Sequence, residues 1–333
     1  KFAARVGRRH GIAVANGSVA LDLAVVAAGI KEGDEVIMPS FTIISPAAAV
    51  VRVGAKPILV DSDATTWNMD VTQIEAKITT KTKAILLVHI YGLPVDMDPV
   101  LALAKKYNLL VIEDAAEMHG QTYNGQPCGS LGDISTFSFY PNKHVTTGEG
   151  GMIVCNNNEM AERCKHLRNL AFIPERRFIH HELGWNYRFT NLQAALGLAQ
   201  LERLDYFIEK KRAMGKLYRE LFVGLEDKIE LQAVSTGYAD NIYWVFGMVL
   251  KDSVPFNAIE AMKRLAAEGI GCRPFFYPMH QQPVFNKMGW YNDEKYPVAE
   301  RMGERGFYVP SGLALTRDEM RTVSEKLKKV LNG

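Results

Sequence analysis

The chain has 333 residues, of which 47% are apolar and 23% charged, and 39 basic against 37 acidic residues leave a net charge of +2. These proportions are typical of a globular protein, and the spread of both charges along the chain argues against nucleic acid or an anionic membrane surface as a partner. No apolar run approaches the ~18 residues that a membrane-spanning helix needs.

The first third of the chain alternates short apolar runs with amphipathic segments. Strands are predicted over 35–39, 57–61, 84–89 and 109–114, and helices over 18–28, 45–53, 70–78 and 98–107. This alternation predicts an α/β fold with a mostly parallel sheet covered on both faces. Asp61, His89 and Asp114 end three of the strands, at the sheet edge where α/β proteins bind ligands.

The rest of the chain predicts two further strands of this sheet and a second, smaller unit. The strands cover 134–139 and 152–155, and a long helix runs from Thr190, with Gln193 completing a capping box, toward Leu221. A strand over 242–250, a helix over 255–267, a strand over 271–276 and a helix over 316–331 follow. We expect a large domain over 1–205 and a small α+β domain over 206–333.

The cysteines and histidines predict neither a disulfide framework nor a metal site. The four cysteines form no CxxC pair, so we expect reduced thiols and a cytoplasmic protein. His180 and His181 have no cysteine or carboxylate at ligand spacing. The N-terminus lacks a Met and begins inside a helical pattern, so we expect residues upstream to be missing.

The segment "FSFYPNKHVTTGEGG" (137–151) holds the most concentrated chemistry. Lys143 follows an apolar strand and precedes a glycine-rich turn. A lysine held in such a pocket can lose its proton and form a Schiff base, although a lone loop lysine is more often a solvated charge. His144 is the neighbouring candidate base, and we expect it to point elsewhere.

Two other elements complete a pattern. Asp114 either caps the following helix or pairs with a cationic ring nitrogen. Gly17 and Ser18 open a helix whose N-terminus suits a phosphate, to which Ser138 could add a hydroxyl. A phosphate cradle, an acid for a pyridinium and a lysine for an aldehyde are together what pyridoxal 5′-phosphate (PLP) requires.

The chain resembles the DegT/DnrJ/EryC1/StrS aminotransferases, which are PLP-dependent sugar-nucleotide enzymes of fold-type I. The resemblance covers nearly the whole chain and rests on "VANGSVALDLAV" (14–25), "GDEVIMPSFT" (33–42), "PILVDSD" (57–63), "VHIYGLPVDMD" (88–98), the block from "VIEDAAEMHG" to "GEGGMIV" (111–154), "GWNYRFTNLQAALGLAQLERLD" (184–205) and "RPFFYPMH" (273–280). It implies a three-layer α/β/α large domain and a cytoplasmic enzyme. It also implies that a glycine loop near the substrate belongs to the missing N-terminal segment.

The resemblance assigns roles to matching positions. It implies that Lys143 binds PLP covalently and acts as general acid/base, and that Asp114 keeps the ring nitrogen protonated. It implies that the phosphate is bound by Gly17, Ser18 and Ser138, and by Asn186 of a partner subunit in a homodimer with shared active sites. Glu117 would lie near the cofactor hydroxyl.

Three further positions carry weaker expectations. Arg273 and His280 could contact the sugar or the nucleotide phosphates, or could join the domains. Ile43 occupies the position where the family has an aromatic residue or histidine against the cofactor ring, and an aliphatic side chain adds no π-stacking.

Within the family, the motifs are most similar to enzymes that transfer an amino group from glutamate to C4 of GDP-4-keto-6-deoxymannose. Such an enzyme would yield 2-oxoglutarate and GDP-perosamine for O-antigen or another surface polysaccharide. One alternative is an aminotransferase that acts on a dTDP- or UDP-linked keto sugar. Another is a PLP- or PMP-dependent 3-dehydratase, an enzyme of this family in which a histidine replaces the lysine. The third is a non-enzymatic protein on the same fold.

Overall fold

The computed structural model describes residues 1–332. Its strands are β1 (His10–Val14), β2 (Glu35–Pro39), β3 (Lys56–Val60), β4 (Thr82–Val88), β5 (Leu110–Asp114), β6 (Thr122–Tyr123), β7 (Gln126–Pro127), β8 (Ile134–Ser138), β9 (Gly151–Cys155), β10 (Ile229–Leu231), β11 (Phe246–Leu250), β12 (Arg273–Pro274) and β13 (Gly306–Val309). Its helices are α1 (Phe2–Val6), α2 (Gly17–Ala27), α3 (Ile44–Arg52), α4 (Met97–Tyr107), α5 (Asn158–Arg168), α6 (Asn191–Leu201), α7 (Leu204–Leu221), α8 (Ala258–Ala267), α9 (Pro283–Lys287), α10 (Pro297–Arg305) and α11 (Arg317–Asn332).

A seven-stranded sheet forms the centre of the molecule, in the order β1-β9-β8-β5-β4-β2-β3. Five strands (β2, β3, β4, β5 and β8) run parallel, while β9 is antiparallel to both β1 and β8. Each face carries its own apolar core. One core takes side chains from α2, α3 and α5, and the other from α1, α4 and α7. The predicted α/β class with a mostly parallel sheet is confirmed.

A second, antiparallel sheet has the order β10-β11-β13-β12. Side chains of α7, α8 and α11 cover it in a third apolar core. Trp244, Val249 and Phe275 come from this half of the chain yet pack in a core of the large sheet. The two halves of the chain therefore share a buried contact. The division into two domains at residue 205 remains a prediction.

Several predicted elements have different bounds in the structure. The prediction of a single helix over 190–221 is wrong, because α6 and α7 are separate helices. The two helices also differ in burial: none of residues 191–201 is buried, whereas α7 buries one face. The predicted helix over 70–78 is a pair of 3-10 turns, Val71–Gln73 and Glu75–Lys77. The strand over 242–250 begins only at Phe246, because Tyr243 has a left-handed φ of 51°.

The strand over 271–276 is reduced to Arg273–Pro274, and β1 was not predicted. The capping box of Thr190 and Gln193 is confirmed at the start of α6. Within residues 1–332, every helix is too short or too polar to cross a membrane.

Candidate active site

A cavity of about 1240 Å³ opens where β5 and β8 end beside the N-terminus of α2. Parallel strands bring their carboxyl ends to one edge, so residues distant in sequence meet there. Seven of the nine predicted site residues line it: Gly17, Ser18, Asp114, Glu117, Ser138, Lys143 and Arg273.

Lys143 lies in the turn after β8, and its side chain is only 9% exposed. Its Nζ is 3.5 Å from Glu117 Oε1 and 3.7 Å from the centre of the Trp244 ring. Burial lowers the pKa of Lys143, and the Glu117 and Asp114 carboxylates oppose this shift. The amine is therefore easier to deprotonate than an exposed lysine, as a nucleophile or base requires.

Glu117 is buried between Lys143 and the backbone after β4. Its Oε2 accepts a hydrogen bond of 2.7 Å from the Tyr91 N–H. Burial raises the pKa of Glu117 to about 7, although the neighbouring Lys143 acts in the opposite direction. Burial thus moves the pKa values of Lys143 and Glu117 toward each other, which favours proton exchange between them.

Asp114 is the last residue of β5 and is buried beneath the cavity. Its Oδ1 accepts a 3.1 Å hydrogen bond from the Ala116 N–H. Burial raises the pKa of Asp114, and the Ala116 N–H and Lys143 only partly offset this. A cationic group bound against the carboxylate would stabilise its charged form.

The start of α2 forms a cradle of small residues. Asn16 caps the helix, its Oδ1 accepting from the Val19 N–H at 3.0 Å. A Cβ on Gly17 would lie 2.8 Å from Ser138 Cβ, and one on Gly151 would lie 2.5 Å from the Asn16 carbonyl oxygen. The two glycines therefore let the helix N-terminus pack directly on β8 and β9, so that the positive end of its dipole meets the Ser18 and Ser138 hydroxyls.

These groups fit PLP. The cradle suits a phosphate, buried Asp114 suits a protonated ring nitrogen, and Lys143 offers an amine with a lowered pKa. Thr42 Oγ1, which also borders the cavity, is buried without a hydrogen-bond partner among residues 1–332 and could bind a polar group there. Ile43 lines the cavity and is half exposed, so an aliphatic side chain is available to cover a bound ring.

The structure does not bring Asn186 or His280 to the cavity of this chain. Asn186 is exposed in the segment before α6 and bridges to Asn169. His280 is buried, with Nδ1 2.8 Å from Ser40 Oγ and Nε2 3.0 Å from Glu300 Oε1. These contacts favour the alternative of a domain-joining role for His280 over substrate contact.

His144 also lies away from the cavity. It is buried, and both ring nitrogens lack a hydrogen-bond partner in the described part of the chain. Burial, with Lys211 nearby, holds the pKa of His144 well below its usual range. A neutral histidine without access to the cavity is poorly placed to act as the base.

Aromatic residues from the second half of the chain, which no sequence motif indicated, also form the site. Trp244 and Tyr308 both line the cavity, and neither belongs to a motif that indicated the site. Arg52 adds a cation at the rim, paired with Asp22 at 2.7 Å. Spacing alone carries no signal for these residues, because they reach the cavity only when the two halves pack together.

The fold and the site define a PLP-dependent transferase of the α/β type, with its lysine in a turn of the central sheet. The chain belongs to the DegT/DnrJ/EryC1/StrS aminotransferase family, whose match covers residues 1–328. It is a PLP-dependent aminotransferase.

Two similar proteins carry the same name. The chain is 42% identical to the GDP-perosamine synthase of Escherichia coli O157:H7 and 43% identical to that of Caulobacter vibrioides, in each case over 99% of this chain and 88% of the relative. The X-ray structure of the aminotransferase from Psychrobacter cryohalolentis superposes with a TM-score of 0.92 at 30% identity, covering 100% of this chain and 90% of that one.

Proposed function

We propose that this aminotransferase moves the amino group of glutamate to C4 of GDP-4-keto-6-deoxymannose, giving GDP-perosamine and 2-oxoglutarate. The observation that carries the transfer chemistry is buried Lys143 paired with Glu117 in a cavity of about 1240 Å³. The choice of sugar is supported by the two relatives named GDP-perosamine synthase. We place the product in the synthesis of a surface polysaccharide.

Lys143, Asp114 and Glu117 would each have a separate role around bound PLP. Bound PLP supplies an electron sink for the carbon that gains or loses the amino group. Lys143 Nζ would hold the cofactor and move protons, because its lowered pKa leaves the amine free to accept one. Asp114 would hold the ring nitrogen in its protonated form. Glu117 would lie near the cofactor hydroxyl.

The phosphate would be bound by Gly17, Ser18 and Ser138 at the start of α2. Arg273, exposed at the cavity wall on β12, would bind the diphosphate of the nucleotide sugar, because a guanidinium donates paired hydrogen bonds to phosphate oxygens.

We further propose that the active unit is a homodimer and that Asn186 binds the phosphate in the partner's site. Leu183, Leu192 and Phe178 are 90%, 86% and 82% exposed, and they lie close to Asn186 in sequence. Large apolar side chains that are exposed to this extent are typical of a surface that a partner covers. In a dimer with two-fold symmetry, each copy would cover these three side chains of the other copy.

We place the enzyme in the cytoplasm. All four cysteines are free, and three of them are buried thiols rather than parts of a disulfide framework. Free thiols of this kind are typical of a reducing compartment.

The test is a panel of keto-sugar nucleotides, linked to GDP, dTDP or UDP, incubated with the PLP-loaded enzyme and glutamate. Mass spectrometry should show one nitrogen gained by GDP-4-keto-6-deoxymannose, and Lys143→Ala should abolish the product while the circular dichroism spectrum stays unchanged. A deoxy-keto product without nitrogen would instead establish the dehydratase. Efficient amination of only a dTDP- or UDP-linked sugar would overturn the proposed substrate.

A further inference from the structure

Trp244 contacts two buried lysines. The Nζ of Lys143 lies over its indole ring, 3.7 Å from the ring centre. Lys211 Nζ donates a 2.8 Å hydrogen bond to the Trp244 carbonyl oxygen. The indole is buried itself, so both contacts are largely shielded from water.

Two sets of contacts fix the orientation of the indole: one at its ring N–H and one at the backbone before Trp244. Its ring N–H donates to the carbonyl of Asn142, at 2.9 Å, immediately before Lys143. The preceding Tyr243 has a left-handed φ of 51°, and its N–H donates to Asn241 Oδ1 at 2.7 Å. A non-glycine residue in this conformation costs free energy, so the surrounding contacts hold the backbone at a defined angle before Trp244.

Lys211 occupies a buried position on α7, where a charged side chain is unusual. Its side chain is buried, and its ammonium binds the carbonyl oxygens of Trp244 and Ser311. Burial lowers the pKa of Lys211 to about 8, and no carboxylate of the described residues compensates for it. An apolar side chain of similar length would fill this space without the cost of burying a charge.

We propose that Trp244 is a positioning residue for Lys143, and that Lys211 keeps Trp244 in place by binding its carbonyl oxygen. The indole face stabilises the ammonium form of Lys143 through a cation–π contact and restrains its Nζ beside Glu117. The importance of this contact for turnover rests on the proposed function of Lys143. The contact itself can be measured on the amine in the absence of any substrate.

The other groups that face Lys143 are the same in every variant below. Glu117 and Asp114 are the carboxylates that raise the pKa of Lys143. Burial lowers the pKa of His119 to about 3 and that of His144 well below its usual range, so both rings are neutral where the lysine titrates. A change in the titration midpoint of Lys143 therefore reports the change at Trp244.

The first experiment measures the acetylation of Lys143 by trace acetic anhydride in the full chain freed of cofactor, as a function of pH, by peptide mass spectrometry. In Trp244→Leu the titration midpoint should fall by about half to one pH unit, because the contact that favours the charged amine is lost. Trp244→Phe keeps a ring face, so its midpoint should fall by clearly less than that of the leucine variant. A midpoint that stays constant or rises in Trp244→Leu would overturn the proposal, because it would show that burial of Lys143 by the indole outweighs any stabilisation of the ammonium.

The second experiment compares Lys211→Met with Lys210→Met. Lys210 is the exposed neighbour, and its Nζ donates to the Leu313 carbonyl, close to the Ser311 carbonyl that Lys211 binds. Only Lys211 also reaches Trp244, so only Lys211→Met should lower the midpoint of Lys143. Equal midpoints in the two variants would overturn the role of Lys211, and this pair decides it even where Trp244→Leu does not fold.

The sugar panel distinguishes this inference from the proposed function. A midpoint shift in a protein that does not aminate GDP-4-keto-6-deoxymannose would leave the Trp244 contact established and overturn the substrate. Normal amination of GDP-4-keto-6-deoxymannose by the wild type, with an unshifted midpoint in Trp244→Leu, would support the substrate and overturn the role of Trp244.

Discussion

Lys143 Nζ lies 3.5 Å from Glu117 Oε1, and both side chains are less than 10% exposed. Each group changes the titration of the other. Burial lowers the pKa of the lysine and raises that of the acid to about 7, while their mutual attraction opposes both shifts. A buried lysine without this acid would be more strongly biased toward the neutral form.

The first prediction concerns stability against pH in Glu117→Gln. An acid whose pKa rises from 4.5 to about 7 on folding keeps its proton longer in the folded state. The free energy of unfolding therefore falls as pH increases between these values, by on the order of 3 kcal/mol from this group alone. Below pH 4.5 both states are protonated and the effect is absent.

Urea unfolding of the cofactor-free protein at a series of pH values checks this. Glu117→Gln should remove most of the decline in unfolding free energy between about pH 4.5 and 7. Glu149→Gln is the matched control, because Glu149 lines the same cavity but is exposed. A wild-type slope that survives in Glu117→Gln would show that Glu117 is ionised in the folded protein at lower pH.

The second prediction concerns Gly17→Ala at the start of α2. The new Cβ would lie 2.8 Å from Ser138 Cβ, so the helix N-terminus or β8 has to shift. We expect a loss of about 1–3 kcal/mol of unfolding free energy and about tenfold weaker binding of PLP or more, at 1.4 kcal/mol per factor of ten.

Denaturant unfolding and a PLP titration followed by absorbance measure the two effects. Gly237→Ala is the control, since a Cβ there would have no neighbour within 4 Å in the described structure, and it should change stability by less than about 0.5 kcal/mol. Unchanged PLP affinity in Gly17→Ala would place the phosphate elsewhere.

The third prediction separates Arg273 from His280. Arg273 lines the cavity, so Arg273→Ala should raise KM for the nucleotide sugar by about tenfold to a hundredfold through the loss of a charged hydrogen bond. His280 instead joins Ser40 to Glu300. His280→Ala should therefore cost about 1–3 kcal/mol of unfolding free energy and leave KM nearly unchanged.

Steady-state kinetics and urea unfolding of the two variants measure this difference. A large rise of KM in His280→Ala at unchanged stability would restore the predicted contact between His280 and the substrate.

The fourth prediction concerns the shared active sites of the proposed homodimer. Lys143→Ala and Asn186→Ala should each be nearly inactive when produced alone. In a mixture of the two, each heterodimer has one site with both intact residues, so activity should recover to about a quarter of the wild-type value when equal amounts pair at random.

Light scattering should show a dimer in each preparation and in the mixture. Recovery well below this level in confirmed heterodimers would indicate that Asn186 does not act on the partner's site. A monomeric wild-type protein would overturn the dimer altogether.

The sequence by itself determined the fold class and predicted seven of the residues that line the cavity. Buried apolar runs ending in Asp114 and preceding Lys143 specify a mostly parallel sheet, because the period of hydrophobic residues and the strand ends are local properties. Gly17 and Ser18 at the start of a predicted helix indicated the phosphate cradle for the same reason. The family motifs added the roles that local pattern leaves open.

Only the tertiary structure decided the electrostatics and the far wall of the cavity. The pKa shifts of Lys143 and Glu117 arise from burial, which no local pattern reports. Trp244 contacts Lys143 although 101 positions of the chain separate them. His280 occurs in a family motif, and substrate contact was one of its two predicted roles. Packing between the two halves of the chain instead buries it between Ser40 and Glu300. Long-range packing sets these contacts, and it depends on the whole chain at once.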